Sequence, residues 1–401
     1  MERLYLDNAA TSFPKPAAVM EAVQRYAAEL GASAGRGGYA EAVETGRLIH
    51  ECRRRINRLV HGERPEHVIF CLNCTDALNL AIKGMIDPDR KGHAICVQMD
   101  HNSILRPLAA LRERGWITTT CVPVDPATQQ VDPEAVRHAI RPDTRLIALT
   151  HASNVTGVVQ PIRAIGRIAR ECGVTFIVDA AQSAGHVPID VREDCIDLLA
   201  APGHKGLLGP LGTGFLYIRP GIEKKLRTLR EGGTGSASEL DVQPQFLPDK
   251  YEPGSHNAIG IVGLSEGVRW TLERTVEELA QHERTLISAF LDAVADVEGL
   301  TCFGPPSVFS RVGVMSVRID GMEPHELAAV LESHHGILTR AGLHCAPLAH
   351  QAIGTLAGGG TTRLSFGPFV TPEQVRYAAE ALSQIAAGRE QLAKPLGQQT
   401  T

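Results

Sequence analysis

Short apolar runs of strand length alternate with amphipathic stretches of helix length from about residue 94 to residue 200. This alternation limits the fold more than any other feature of the chain. The runs are 94–98 (AICVQ), 145–150 (RLIALT), 174–178 (VTFIV) and 196–200 (IDLLA), and helical patterns lie between them at 105–114, 133–140 and 161–172. A short apolar run bounded by helices suits a strand covered on both faces. Strands joined through helices run parallel, so the pattern predicts an α/β domain.

The pattern changes after about residue 260. Two amphipathic stretches, 263–280 and 281–297, predict one long kinked helix or two. A strand over 313–319, a helix over 324–335, a glycine-rich turn at 357–360, a strand over 361–366 and a last helix from 372 follow. This order predicts a smaller α+β domain with an antiparallel sheet. The Pro/Gly stretch 248–254 leads into the junction. The polar residues after about 389 predict a frayed tail.

Composition removes several classes of function. With 40 basic and 45 acidic residues the 401-residue chain carries a formal charge of -5, which disfavours nucleic acid as a partner. No apolar run approaches the ~18 residues of a membrane span, and the start lacks the apolar stretch of a signal peptide, so a cytoplasmic protein away from membranes is expected. Nine scattered cysteines, an odd number, do not suit a disulfide framework. Cys71 and Cys74 form a C-x-x-C, yet no second pair or histidine cluster accompanies them, so no metal site is expected.

The residues that carry chemistry stand where apolar runs end. Ligands of open α/β sheets bind off the carboxyl ends of the strands. Lys205 follows one run, inside Gly203-His204-Lys205-Gly206; an amine desolvated there becomes a nucleophile toward carbonyls, and the alternative is a surface lysine in a loop. Asp179 closes the run 174–178, where its carboxylate could keep a pyridinium nitrogen protonated or cap the next helix. Gln182, three residues on, falls on the same side of a helical turn. His101 follows 94–99, placed to stack on a planar group and move protons, or to serve as a hydrogen-bonded structural histidine. Cys74 and Thr75 open a helix after 68–72, a start suited to an anion. In the C-terminal part, Cys345 stands in Arg340-Ala341-Gly342-Leu343-His344-Cys345-Ala346, and Arg363 follows. A free thiol near ~8.5 is only a few per cent thiolate at pH 7. His344 or an arginine beside it could lower that value, and Arg363 could grip a carboxylate with two hydrogen bonds. Taken singly, these residues read rather as an exposed inert thiol and two solvated arginines.

Together the motifs resemble the cysteine desulfurases, class V aminotransferase-like members of the fold-type I pyridoxal phosphate (PLP) enzymes. Six occur in the family's order: Asn8-Ala9-Ala10-Thr11, His101-Asn102-Ser103, Ser153-Asn154-Val155-Thr156-Gly157, Asp179-Ala180-Ala181-Gln182, His204-Lys205 and Gly342-Leu343-His344-Cys345-Ala346. The likeness runs from Tyr5 to the final helix, and the short Cys345 context resembles the SufS-like group. It implies a large PLP-binding domain over 14–262 with a mainly parallel seven-stranded sheet. A small domain would comprise 1–13 and 263–389 and carry the Cys345 loop, with 390–401 as a flexible tail.

The resemblance also implies roles. Lys205 would be the Schiff-base lysine, Asp179 the partner of the pyridine nitrogen, Gln182 that of the phenolic oxygen, and His101 the residue stacked on the ring. Cys74, Thr75 and His204 would hold the phosphate, with Ser255 reaching the cofactor of the neighbouring subunit in a homodimer. Asn154 and Arg363 would bind the substrate carboxylate, with Arg340 and Asn8 nearby. Cys345 would carry the persulfide. The implied reaction is L-cysteine to L-alanine, with sulfur passed to an acceptor protein for uses such as iron–sulfur cluster assembly. Selenocysteine lyase (with L-selenocysteine as substrate), another class V lyase or aminotransferase, and a non-catalytic scaffold of the same fold are the alternatives. Three departures stand out: Pro202 replaces a usual serine, Ser255-His256 stands where Thr-Pro is frequent, and Leu343 replaces a frequent histidine.

Overall fold

A computed structural model describes residues 3–34 and 37–392. The short strand β1 (Leu4–Tyr5) precedes helices α1 (Ala17–Arg25) and α2 (Ala40–Leu59). Strands and helices then alternate through β2 (Val68–Cys71), α3 (Cys74–Gly84), β3 (Gly92–Val97), α4 (Asn102–Glu113), β4 (Ile117–Val122), α5 (Pro133–Ala139), β5 (Thr144–Thr150), α6 (Ile162–Glu171) and β6 (Thr175–Asp179). Strands β7 (Leu198–Pro202) and β8 (Gly214–Ile218) follow, then helices α7 (Ala258–Arg274) and α8 (Val276–Val294). The remainder comprises β9 (Leu300–Phe303), β10 (Val314–Ile319), α9 (Pro324–His335), β11 (Ile337–Leu338), β12 (Arg340–Gly342), α10 (Pro347–Ala352), β13 (Thr361–Ser365) and α11 (Pro372–Leu392).

The central sheet has seven strands in the order β2-β8-β7-β6-β5-β3-β4 and is mainly parallel, as expected. Only β8 runs against its neighbours, and two such steps restore the common direction in β2. Side chains alternate between two cores along every inner strand. Ile95, Ile147, Val178 and Leu199 enter one, shared with α2 and α7. Ala94, Leu146, Ile177 and Leu198 enter the other, shared with α3 and α4. Burial on both faces explains why these strands read as unbroken apolar runs.

A second sheet, in the order β12-β13-β10-β9, is antiparallel throughout and packs on α8, α9 and α11. The chain start joins this part of the molecule: β1 pairs with β11, and Asp7 bridges to Ser365. The two helices expected over 263–297 begin earlier and break earlier. Asn257 accepts from the Gly260 amide and caps α7; Thr275, at φ +63°, accepts from the Glu278 amide and starts α8. Strands β4 and β8 were absent from the sequence reading. The tail expected from 390 begins inside α11, and residues 393–401 lie outside the described residues. Among the described residues no helix is long and apolar enough to cross a membrane.

Candidate active site

Because β3, β5, β6 and β7 are parallel, their carboxyl ends share one rim of the sheet. A cavity of about 260 Å³ opens at that rim. His101, Asp179, Gln182 and Lys205 line it, together with Cys74, Thr75, Asn154 and His204. Eight of the expected site residues are thus brought together, and Pro202 lines the same wall.

Asp179 ends β6 almost fully buried. Its Oδ1 accepts from the Ala181 amide at 2.8 Å and from the Cys74 thiol at 3.4 Å, and Oδ2 from the Thr150 hydroxyl at 3.5 Å. Lys205 lies three residues past β7. Burial lowers its pKa from the ordinary lysine value, with Asp179 acting in the opposite direction. Among the described residues its Nζ has no hydrogen-bond partner.

His101 is the cap of α4: its Nδ1 accepts from the Ser103 amide at 3.0 Å and meets the Ser103 hydroxyl at 2.9 Å. Burial lowers its pKa to about 4, so the ring is neutral at pH 7. With Nδ1 accepting, the neutral ring carries its proton on Nε2. The Ser103 hydroxyl reaches Thr75 at 2.8 Å and ties the starts of α3 and α4 together. At the head of α3, Asn73 accepts from the Asp76 amide at 2.9 Å. The Cys74 and Thr75 amides in that first turn have no acceptor within the helix and face the cavity rim. Gly214 permits this approach of β8 to α3, since a Cβ there would lie 2.7 Å from the Asn73 carbonyl carbon. His204 presents a buried Nδ1 with no partner among the described residues, and burial holds its pKa down to about 4.

The N-terminal segment closes the floor. The His204 carbonyl accepts from the Ser12 amide and from Lys15 Nζ, both at 3.0 Å, and Gln182 donates one amide hydrogen to the Ala9 carbonyl at 2.9 Å. Asn8 spends both ends of its amide on the chain: it donates to the Ser365 carbonyl at 3.1 Å and accepts from the Phe13 amide at 3.2 Å. It lines a smaller cavity on the other side of Lys205.

Arg363, on β13, is 1% exposed. It donates to Asp7 Oδ1 at 2.7 Å and to the Asn154 carbonyl at 3.1 Å, and its Nε has no partner among the described residues. Arg340 stands opposite it in the β12–β13 register and is exposed. Neither arginine lines the 260 Å³ cavity.

Only residues 343–346 separate β12 from α10, and Cys345 is exposed in that short loop. The turn needs left-handed backbone at Gly342 (φ +107°), His344 (φ +48°) and Cys345 (φ +58°). Two of these are not glycine and cost on the order of 1–2 kcal/mol each. Two hydrogen bonds oppose that cost: Asn154 Nδ2 donates to the His344 carbonyl at 2.6 Å, and the Asn102 amide donates to the Cys345 carbonyl at 2.8 Å. Asn102 is the neighbour of His101, so the thiol loop is seated against the cavity. His344 turns inward, its Nε2 3.2 Å from the Thr361 carbonyl, and burial drives its pKa to about 2. It is therefore neutral, and the expectation that its charge could activate Cys345 is not supported.

Ser255 lies elsewhere. It is exposed and lines a separate cavity of about 210 Å³ with Gly212, Arg230 and Glu252. The two C-x-x-C thiols have different partners, Cys71 its own strand and Cys74 the Asp179 carboxylate. Sequence reasoning missed Asp7 as the partner of Arg363, Lys15, Thr150 and Ser103. It also missed Asp100, which accepts from the Val97 and Thr150 amides at 2.7 Å each and joins the ends of β3 and β5. Ser103 alone had a signal, as the last residue of His101-Asn102-Ser103.

The aminotransferase class-V family model matches residues 4–377. A probable cysteine desulfurase of Methanothermobacter thermautotrophicus is 34% identical over 391 residues, covering 96% of this chain and 95% of its own length. Another probable cysteine desulfurase, from Aeropyrum pernix, is 32% identical over 400 residues with the same two coverages. The solved apo structure of a cysteine desulfurase from Thermococcus onnurineus NA1 is similar with a TM-score of 0.89 at 28% identity, over 96% of this chain and 95% of that one.

Proposed function

Since the chain belongs to the aminotransferase class-V family, among its cysteine desulfurases, we propose that it converts L-cysteine to L-alanine with pyridoxal 5′-phosphate and collects the sulfur on Cys345 as a persulfide. The observation that carries this reading is one cavity lined by a buried amine (Lys205) and a strand-end carboxylate (Asp179), with the Cys345 loop held by hydrogen bond to Asn154 of its wall.

The residues present fit the cofactor. The open amides of Cys74 and Thr75, the Thr75 hydroxyl and the unpartnered His204 Nδ1 suit a phosphate. Because the Cys74 thiol is committed to Asp179, Cys74 would contribute its backbone amide. In this reading Lys205 would hold the cofactor, with Asp179 as the partner of its ring nitrogen, Gln182 that of its phenolic oxygen, and His101 beside its ring. Ser255 would complete the phosphate site of the partner subunit in a homodimer, which accords with its distance from its own cavity. When bound, pyridoxal phosphate supplies an electron sink that acidifies the substrate Cα–H and weakens the Cβ–S bond.

The rest falls to the chain itself. Lys205, with its pKa lowered by burial, accepts the Cα proton and returns it. His101 holds a proton at Nε2 and is fixed in orientation by Ser103. Arg363 would receive the substrate carboxylate, the unpartnered Asn154 Oδ1 could accept a hydrogen bond from the substrate, and Arg340, beside Arg363 in the sheet, would add positive charge. The Cys345 thiolate would bond to the substrate sulfur as the Cβ–S bond breaks; the electron pair of that bond leaves with Cβ, which takes up a proton and ends as the alanine methyl. Exposed Leu343 and Cys345 then face the acceptor protein.

Turnover of L-cysteine, read as alanine and sulfide, tests the reading, with mass spectrometry of the Cys345 peptide for one added sulfur. Alanine formed without sulfur on Cys345 would refute the persulfide assignment. L-selenocysteine in a parallel assay ranks the lyase alternative.

A further inference from the structure

Two cysteines unrelated to the cavity face each other across the far edge of the central sheet. In the parallel register of β3 and β4, Cys96 is the direct partner of Cys121. Neighbouring strands lie about 4.7–4.9 Å apart, which falls within the ~4.4–6.8 Å between Cα atoms that a disulfide accepts. Both side chains leave the sheet on the same side. Cys96 and Ile117 belong to the core shared with α3 and α4, and Cys121 lies four residues beyond Ile117, on the same face of its strand.

Their surroundings differ in the way a reactive pair needs. Cys121 is exposed on the edge strand, whereas Cys96 is 5% exposed beneath it. The neighbouring Cys96 thiol lowers the Cys121 pKa from the ordinary thiol value, whereas Cys121 and burial raise that of Cys96. The outer sulfur is thus the better nucleophile, and the inner one is a neutral thiol waiting beside it.

We infer that Cys121 and Cys96 form a peroxide-sensitive dithiol site in which Cys121 reacts first and Cys96 closes a disulfide onto it. The Cys121 thiolate attacks the O–O bond of a hydroperoxide. An S–O bond forms, the O–O bond breaks, and the leaving alkoxide takes a proton to become an alcohol, or water when the oxidant is hydrogen peroxide. Cys121 is now a sulfenic acid and the hydroperoxide is reduced. The Cys96 sulfur then attacks the Cys121 sulfur; the S–O bond breaks, and the hydroxyl leaves as water with the Cys96 proton. One hydroperoxide and two thiols give one disulfide, one water and one alcohol. The product spares the exposed sulfur from irreversible oxidation and cross-links the edge strand. It does not depend on the desulfurase reading.

The test uses the full-length protein exposed to graded hydrogen peroxide, alkylated, and mapped without reduction by mass spectrometry. A peptide linking Cys96 to Cys121 is expected, cleaved by dithiothreitol, at doses where exposed Cys172, which follows α6 outside any strand, gives sulfinic acid. In Cys96→Ala the linked peptide is lost and Cys121 proceeds to sulfinic acid. Cys121→Ser, a surface change, loses the linked peptide and keeps the parent rate of cysteine turnover. Absence of the linked peptide in the parent at doses that oxidise Cys172 overturns the proposal. So does a Cys121 sulfinic acid yield that Cys96→Ala leaves unchanged.

Discussion

Glu252→Gln isolates a buried charge cluster whose contribution can be worked from the structure. Glu252 and Arg53 are 8% and 4% exposed and meet through two hydrogen bonds, at 2.6 and 2.8 Å. Glu252 also accepts from the Phe70 amide at 2.6 Å and contacts His256 Nε2 at 2.6 Å. Burial acts to raise its pKa, but Arg53 and the hydrogen bonds from His256 and Arg53 outweigh it and bring the carboxyl down from 4.5 to about 2. At ~1.4 kcal/mol per pKa unit, this difference corresponds to about 3 kcal/mol of folding stability at neutral pH. Removing one member of a buried pair costs ~3–5 kcal/mol, since the other charge is left unpaired. Glu252→Gln should therefore lower the unfolding free energy by about 3 kcal/mol, roughly a hundredfold in the folded-to-unfolded ratio. The folded carboxyl titrates below the unfolded one, so this stability is present above the unfolded value near ~4.3 and is lost as pH falls toward about 2. Urea unfolding of parent and variant from pH 7 to pH 3 measures it. A difference under about 1 kcal/mol at pH 7, or one that fails to shrink below pH 4, refutes the reasoning.

Other perturbations probe the cavity. Cys345→Ala should keep the visible absorption of the bound cofactor while sulfide release from cysteine falls about 100-fold or more, measured with a thiol reductant present. Lys205→Ala should lower turnover by on the order of 10³-fold, because it removes the group proposed to move the Cα proton; steady-state alanine production reads this. Arg363→Lys keeps the charge but loses the fork, and should raise KM for cysteine about tenfold or more, with kcat less affected; an unchanged KM would remove Arg363 from the carboxylate site.

What could be read from the chain follows burial. Runs such as 145–150 and 174–178 are covered on both faces and announce themselves as apolar, and β5 and β6 occupy 144–150 and 175–179. Strand β4 (ITTTCV) did not, since an edge strand leaves Thr118 and Cys121 exposed and loses the apolar signature. Strand β8 (GFLYI) starts on a glycine and is followed by a break at Pro220-Gly221, without an α-helix such as follows β2, β3, β4 and β5. The α7–α8 break at Thr275 depends on one side chain capping one amide, which periodicity does not register. In the site, His101, Asp179 and Lys205 were legible because each follows a buried strand. The pairing of Arg363 with Asp7 spans 356 positions and has no local trace. Nor does the inward turn of His344, which comes from the left-handed backbone at 344 and 345.

The brevity of the segment between β12 and α10 limits how far the Cys345 thiol can move. Four residues fully stretched span only ~14 Å, and two of these are anchored through their carbonyls to Asn154 and Asn102. A tether this short and anchored does not let Cys345 act as a swinging arm. In the proposed reaction the recipient would therefore have to travel, extending its own nucleophile to the rim where Leu343 and Cys345 face the solvent, and the selection of who receives the cargo would rest with the visitor's shape.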